Sequence, residues 1–411
     1  MKSKPPAAGI CPGTIDADIK MTDPIIIVGA GQAGIKTAET LRLKGYDGDV
    51  ILIGGETWPP YQRPPLSKAY LKGGMAEERL LLKAADYFEK AAINLMTGHH
   101  VETVDPAAHT LTLDNGLVLA WSKLLLATGT RAREFPLQGA GLSGVFTLRS
   151  MDDTARIAGA LDKAEHVAII GGGYIGMEFA ATARGMGKQV TVIETQDRIL
   201  KRCVAPETSR YLQTLHEGHG VRLLLGQGVS RIAGSDHAEG VELMSGEFVP
   251  ATLVLVAVGA APAVELAEAA GIATERGIIV NEACRTNVAD IYAAGDCTVF
   301  PSRRYGRRVG LESVQNACDQ GKAAALAMLG EPVVYDPVPW FWSDQFENKL
   351  QIAGLSQGYD RTELVGSSAE GRFALRYFAG DTLLAVDAVN DPRSHMMARK
   401  EIAAHGETLA A

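Results

Sequence analysis

Cysteine is sparse and unpaired in this chain. Cys11, Cys203, Cys284, Cys297 and Cys318 are scattered, with no C-x-x-C spacing among them. That argues for a reducing compartment, placing the protein in the cytoplasm, and against a zinc centre or a redox disulfide. Long apolar runs are missing as well: each stops at strand length, short of a membrane span. Residues 1–20 lack the apolar core of a signal peptide and read as a disordered extension, with Met21 as an alternative start. Positive charge is not in excess. The formal net charge of −8 disfavours nucleic acid as a partner but leaves room for a local basic patch.

Glycine, by contrast, is abundant. There are 45 in 411 residues, beside 46% hydrophobic content, enough for two or three domains with full cores in a soluble α/β protein. Two groups of glycines share a pattern. Gly29-x-Gly31-x-x-Gly34 lies in IIIVGAGQAG and Gly171-x-Gly173-x-x-Gly176 in VAIIGGGYIG, each after an apolar run that reads as a buried strand. The first glycine makes the strand-to-helix turn, the second lets backbone approach a pyrophosphate, and the third lets helix pack on strand. The phosphates then sit at the positive end of the helix. One such motif is weak evidence; a pair points to two bound dinucleotides.

The acids that follow the motifs say which nucleotides. After the second motif the strand KQVTVIE ends at Glu194, near the spacing at which a carboxylate accepts both ribose hydroxyls of an adenosine. Glu194 would repel a 2′-phosphate, so NADH is expected over NADPH; Arg198 is the nearest cation that would favour the phosphorylated form. After the first motif DVILIGGE ends at Glu56, which is placed to bind ribose likewise, and FAD is expected there.

From Ile25 to about Gly129 strands and helices alternate: IIIVG, a helix through TAETLRLKG, VILIGG, a helix near AADYFEKAA, a β-ribbon turned at Asn115-Gly116, and KLLLATG. The segment Val167 to Gly259 repeats the plan. DIYAAGDC, a strand ending at Asp296, and the helix of ESVQNACDQGKAAALAML are assigned back to the first unit. The expected architecture is α/β, with two Rossmann-like domains and a small α+β domain. The FAD domain takes residues 21–132 and 260–332, the inserted NADH domain residues 133–259, and the C-terminal domain residues 333–411.

Five stretches together resemble the FAD-dependent ferredoxin reductases of bacterial oxygenase systems, the putidaredoxin-reductase-like branch of the glutathione-reductase superfold. They are IIIVGAGQAG, RPPLSKAYL from Arg63 to Leu71, LLLATG with Arg131, GGGYIGME, and AAGDC followed by ESVQNA and PWFWSDQ. The resemblance covers Ile25 to about Asn390 and implies a C-terminal domain that helps bury the flavin. It implies that Gly29, Gly31, Ala33 and Gly34 hold the FAD pyrophosphate, and Glu56, after Gly55, the adenosine ribose. Val101 would lie against adenine, Arg131 near the nucleotide, and Asp296 at the ribityl or pyrophosphate region. Val314 would offer its N–H to the flavin pyrimidine, where the N-terminal dipole of the Ser313–Leu329 helix favours the charge of reduced flavin. Arg63, Pro65, Thr128 and Gly129 complete the FAD set. For NADH the set is Gly171, Gly173, Tyr174, Ile175, Gly176, Glu178, Glu194, Val258 and Gly259.

The resemblance also implies the chemistry. Lys68 would sit beside the flavin, paired with Glu178, and Trp342 at the electron exit, with Glu312 in the same catalytic set. Hydride transfer asks for stacking and distance rather than a general base. Trp340 and Phe341 read as core packing. The arginines of SRRYGRR, namely Arg303, Arg304, Arg307 and Arg308, read as a docking patch for an acidic ferredoxin. The implied activity is transfer of hydride from NADH to FAD, then of single electrons to a [2Fe–2S] ferredoxin that feeds a monooxygenase or dioxygenase, by a monomer or weak homodimer. Rubredoxin and monodehydroascorbate reductases share the fold and, like RPPLSKAYL here, lack the reactive cysteine of NADH oxidases and peroxidases. Apoptosis-inducing-factor-like flavoproteins form a third, non-enzyme reading; they usually carry targeting segments and basic surfaces that are not evident here.

Overall fold

The computed structural model describes residues 23–408; the N-terminal extension expected at 1–20, with Cys11, lies outside them, as does Met21. Ile25–Val28 is buried along its whole length and pairs in parallel with Val50–Gly54 on one side and Lys123–Leu126 on the other. Ile93–Thr97 and Ile291–Ala293 extend these to a five-stranded parallel sheet. A parallel strand covered on both faces needs a continuous apolar run rather than alternation, which is why IIIV and LLL look as they do. The return of the chain at Ile291–Ala293 brings the helix Val314–Met328 onto the helix Gln32–Leu43. Their backbones nearly touch at Gly321, where a Cβ would stand 2.6 Å from the Ala33 carbonyl oxygen.

A second parallel sheet repeats the order with Arg222–Leu225, Gln189–Glu194, His166–Ile170, Leu253–Val256 and Val145–Phe146. The chain passes between the two sheets along Thr130–Ala132 and Ala260–Pro262, which pair antiparallel with each other. Both units carry a three-stranded antiparallel ribbon. In the first, Asn115 Oδ1 accepts from the Leu117 N–H and Gly116 takes φ +81°, the turn that Asn-Gly favours.

The chain ends in a five-stranded antiparallel sheet ordered Trp340–Gln345, Asn348–Gly354, Thr382–Val389, Arg372–Ala379, Arg361–Ser367. Ala398 and Ile402 of the helix Pro392–Thr408 seat against Ala353 and Val386 of that sheet. The expected helix at AADYFEKAA is one turn, Tyr87–Lys90, closed by Ala92 at φ +52°. Met151–Leu161 and Pro206–Gly218 are helices not anticipated from sequence, although their start signals are there: a Ser150/Asp153 capping box and Pro206 at the first turn.

Candidate functional site

The two glycine motifs fold alike, and the space around each glycine separates its roles. Gly29 has φ +114°, and a Cβ on it would stand 2.1 Å from the Ala127 carbonyl oxygen. A Cβ on Gly34 would stand 1.9 Å from Gly29 O. Gly171 and Gly176 repeat this against Ala257 O at 2.4 Å and Gly171 O at 2.1 Å. The chain itself therefore requires the outer glycines. Gly31 and Gly173 are different: no atom lies within 4 Å of where a Cβ would be, and each caps a helix of 12 residues. An open glycine at a helix N-terminus is the cradle a pyrophosphate needs.

Gly31 opens onto a cavity of ≈ 1230 Å³, above the usual range for drug-sized ligands and large enough for a dinucleotide. Gly29, Ala33, Gly55, Glu56, Arg63, Val101, Thr128, Gly129, Arg131, Asp296, Glu312 and Val314 line it. Lys68, Tyr174, Ile175, Glu178 and Trp342 line it too. Two residues expected in the FAD set are not on the wall. Gly34 lies beneath the turn as helix–strand packing, and Pro65 points its carbonyl at the N–H groups of Lys68 and Tyr70, so Pro64 and Leu66 face the cavity instead. Val258, expected in the NADH set, is half-buried against the core of the second sheet. Gly171, Gly173, Gly176, Glu194 and Gly259 belong to the second turn, outside this cavity.

Charge in the cavity is organised around two arginines. Arg63 donates to Glu56 Oε1 at 2.6 Å, to the Tyr61 hydroxyl at 2.9 Å and to the Arg149 carbonyl at 2.8 Å. The Tyr61 hydroxyl donates to the other oxygen of Glu56. Each carboxylate oxygen keeps a second lone pair, so Glu56 can still accept from a ribose. Arg149 stands 3.8 Å from Asp296, whose carboxyl burial pushes up to about 6 despite that cation and the Ser313 N–H. Burial raises Glu312 as well. Arg131 pairs with Glu265 at the rim.

On the cavity wall Lys68 Nζ lies 2.7 Å from Glu178 Oε1, joining the loop after Pro64–Ser67 to the helix Tyr174–Gly185. Glu178 is buried and also accepts from Ser67 Oγ at 2.7 Å and Ser343 Oγ at 2.8 Å. Trp342 and Phe341 both reach the cavity, and Phe341 sits 4.7 Å from the Tyr174 ring. Phe341 is thus part of the wall rather than only packing. Trp340 is as expected away from the wall, packed against the tilted ring of Trp342, the edge-on ring of His395 and the guanidinium of Arg399. Ser67 and Ser343 were missed, although each adjoins a singled-out residue in RPPLSK and PWFWSDQ. Tyr61 and Arg149 gave no sequence signal.

Glu194 stands at the second turn, its Oε2 accepting from the Gly172 N–H at 2.7 Å and its Oε1 from the Gln196 N–H at 2.8 Å. Arg198 turns away and donates to the carbonyls of Val204 and Lys201.

The four arginines expected as a docking patch are partly occupied within the chain. Arg303 is bidentate to Glu282, Arg308 pairs with Glu275, and Arg304 turns inward to the Ile402 carbonyl. Among the described residues the guanidinium groups of Arg304 and Arg307 form no ion pair, and none of the four lines the cavity. Acidic neighbours distant in sequence neutralise Arg303 and Arg308.

Two dinucleotide turns, a cavity at the first of them and a lysine–glutamate pair that ties the two units together define a two-nucleotide oxidoreductase. Residues 23–321 match the pyridine nucleotide-disulphide oxidoreductase family and residues 340–411 the reductase C-terminal domain, and the chain belongs to that family. It is 42% identical to rhodocoxin reductase of Rhodococcus erythropolis over 92% of this chain and 89% of the relative. The ferredoxin reductase for the CYP199A2 system of Rhodopseudomonas palustris superposes with a TM-score of 0.90 at 40% identity, covering 92% of this chain and 94% of the other. The reductase of the covalent putidaredoxin reductase–putidaredoxin complex gives 0.90 at 37% identity, over 93% of each chain. The cofactors of the chain are FAD and NADH, and the open Gly31 and Gly173 turns fit the two groups. Among the described residues no helix is long and apolar enough to cross a membrane.

Proposed function

We propose that the protein is an NADH-dependent ferredoxin reductase, delivering single electrons to a [2Fe–2S] ferredoxin that feeds a monooxygenase or ring-hydroxylating dioxygenase. The observation that carries this reading is the meeting, in one cavity, of the open Gly31 turn, the Lys68–Glu178 pair and Trp342. FAD held there supplies acceptance of two electrons from NADH and their release one at a time. Gly31 and the N-terminus of the helix Val314–Met328 would take its anionic parts, and Arg63 and Arg149 add positive charge to the same wall. Lys68 places a cation on the cavity wall, and its charge balances the buried Glu178 carboxylate. Phe341 and Tyr174 pack against each other on the same wall. Glu194, with Arg198 tied to its own loop, favours NADH.

The relatives named above support a ferredoxin partner, and the [2Fe–2S] type belongs to the proposal. We take the protein to work as a monomer or weak homodimer in the cytoplasm; the free Cys203, Cys284, Cys297 and Cys318 suit a reducing compartment. The test is anaerobic stopped-flow mixing of the FAD-loaded protein with NADH, then with [2Fe–2S] ferredoxins. Fast flavin bleaching followed by stepwise reoxidation as the iron–sulfur absorbance bleaches supports the reading. Fast bleaching with electrons accepted by rubredoxin alone replaces it, and a slow, long-lived nucleotide complex points to a signalling flavoprotein.

A further inference from the structure

Glu178 collects donors from two distant parts of the chain. Lys68 and Ser67 come from the loop region of the first unit, and Ser343 from the first strand of the C-terminal sheet. The contacts continue behind Ser343. Gln345 Nε2 lies 3.1 Å from Ser343 Oγ, and Gln345 Oε1 lies 2.9 Å from His216 Nε2, on the helix Pro206–Gly218 of the second unit. His216, Ser343 and Gln345 are all at most 1% exposed, so water does not compete along this line.

Hydrogen-bond direction makes the line one-way. A serine hydroxyl has one hydrogen to give. Because Gln345 donates to Ser343, that hydrogen is free for Glu178. The amide orientation is in turn fixed by His216, whose imidazole burial pushes down to about 4 and so keeps neutral. Its Nδ1 has no partner, which is cheaper as a bare acceptor than as an orphaned N–H, so the single hydrogen belongs on Nε2, facing Gln345 Oε1. Reverse any link and the Ser343 hydrogen turns away, leaving Glu178 Oε1 with Lys68 alone.

We propose that His216, Gln345 and Ser343 form a directional hydrogen-bond chain that positions Glu178, and through it Lys68, for hydride acceptance in the cofactor cavity. The inference rests on the role given to the Lys68–Glu178 pair above. His216 and Gln345 are not on the cavity wall, so they act as positioning residues. With fewer donors, the Glu178 carboxylate presents more unbalanced negative charge to the cavity and draws Lys68 onto itself. Both changes oppose the negative charge that reduced flavin acquires.

The experiment compares Ser343→Ala, Ser343→Thr, Gln345→Glu and His216→Leu in the FAD-loaded protein. Three quantities are read: the limiting rate and apparent Kd for flavin reduction by NADH, the flavin midpoint potential, and the 15N NMR tautomer of His216. Ser343→Ala and Gln345→Glu should each lower the limiting rate roughly tenfold, in keeping with loss of a hydrogen bond to a charged group, and lower the potential while leaving the Kd for NADH unchanged. Gln345→Glu acts because a carboxylate accepts from both His216 and Ser343 and turns the hydroxyl away from Glu178. Ser343→Thr keeps the hydroxyl and should keep the rate. His216→Leu combined with Ser343→Ala should be no slower than Ser343→Ala alone. An Nδ1-protonated His216, or variants that melt earlier with unchanged rate and potential, overturns the proposal. Wild-type flavin that NADH does not bleach would be a failure of the reductase reading; the tautomer and the potential of Ser343→Ala would still decide the chain.

Discussion

Glu194 and Arg198 lie a few residues apart, and their hydrogen bonds decide between two nucleotides. Backbone donors fix both oxygens of Glu194 beside the Gly171–Gly173 turn, while Arg198 is held by two carbonyls of its own loop and cannot swing to meet a 2′-phosphate without breaking both. Glu194→Ala should therefore lower kcat/KM for NADH by about tenfold, the loss of a charged hydrogen-bonding partner. Glu194→Arg should turn the preference toward NADPH; steady-state assays with both nucleotides give the ratio, and an unchanged ratio refutes the assignment. Lys68 makes a second case. Lys68→Met removes the cation beside Glu178 and leaves that buried carboxylate only its two serine donors, so flavin reduction should slow by about tenfold or more and the midpoint potential should fall. Equal rates would leave the pair a structural tie. Residues inside distinctive strings, such as Lys68 in RPPLSK and Trp342 in PWFWSDQ, were legible in sequence because the neighbours marked them. Arg149 and Tyr61 were not, since only the tertiary fold brings them to Arg63.

Within one strand–turn–helix element, similar glycines carry different burdens, and alanine should separate them. Gly31 has ordinary helix-entry backbone and empty space around it, so Gly31→Ala should fold with wild-type far-UV circular dichroism yet bind FAD weakly. Gly34→Ala forces a Cβ into the Gly29 carbonyl, so it should lose the fold or melt much earlier even without flavin. If both variants bound FAD equally well, the cradle would be misplaced. The C-terminal sheet offers a pH test. Asp387 is buried in the strand Thr382–Val389 and accepts from the Tyr377 hydroxyl, and burial pushes its carboxyl up to about 7. A folded-state value above the unfolded one means stability is full below about pH 4 and is lost as pH rises through about 7. Asp387→Asn does not titrate, so it should melt a few degrees above wild type at pH 8, roughly what one or two kcal/mol yields, with the gap shrinking toward pH 5. A gap that grows on acidification would give the wrong sign. Periodicity and the glycine motifs made the parallel strands readable. The helix expected at AADYFEKAA was over-read because composition alone does not show that Ala92 turns the chain left-handed after one turn.

Taken as a whole, the molecule carries a net charge of −8, and two of the four arginines at SRRYGRR are held in ion pairs. Charge runs read from sequence ignore partners supplied by other elements; here Glu282 and Glu275, from the segments leading into and out of Ile278–Ile279, occupy Arg303 and Arg308. Exposed pairs of this kind contribute little to stability and little unbalanced field. Arg303→Gln with Arg308→Gln should therefore leave the KM for ferredoxin within about twofold of wild type, even at low salt where steering is strongest. Trp342 differs, because it stands where the C-terminal sheet meets the cavity and touches the packed ring of Trp340 behind it. Trp342→Leu should leave flavin bleaching by NADH close to wild type while slowing ferredoxin reduction by about tenfold in double-mixing stopped flow, if electrons leave on this side. Should the arginine pair raise the KM strongly and Trp342→Leu leave electron exit untouched, the exit would lie on the Arg303–Arg308 hairpin, and the orientation of the whole electron path through the three parts of the chain would be reversed.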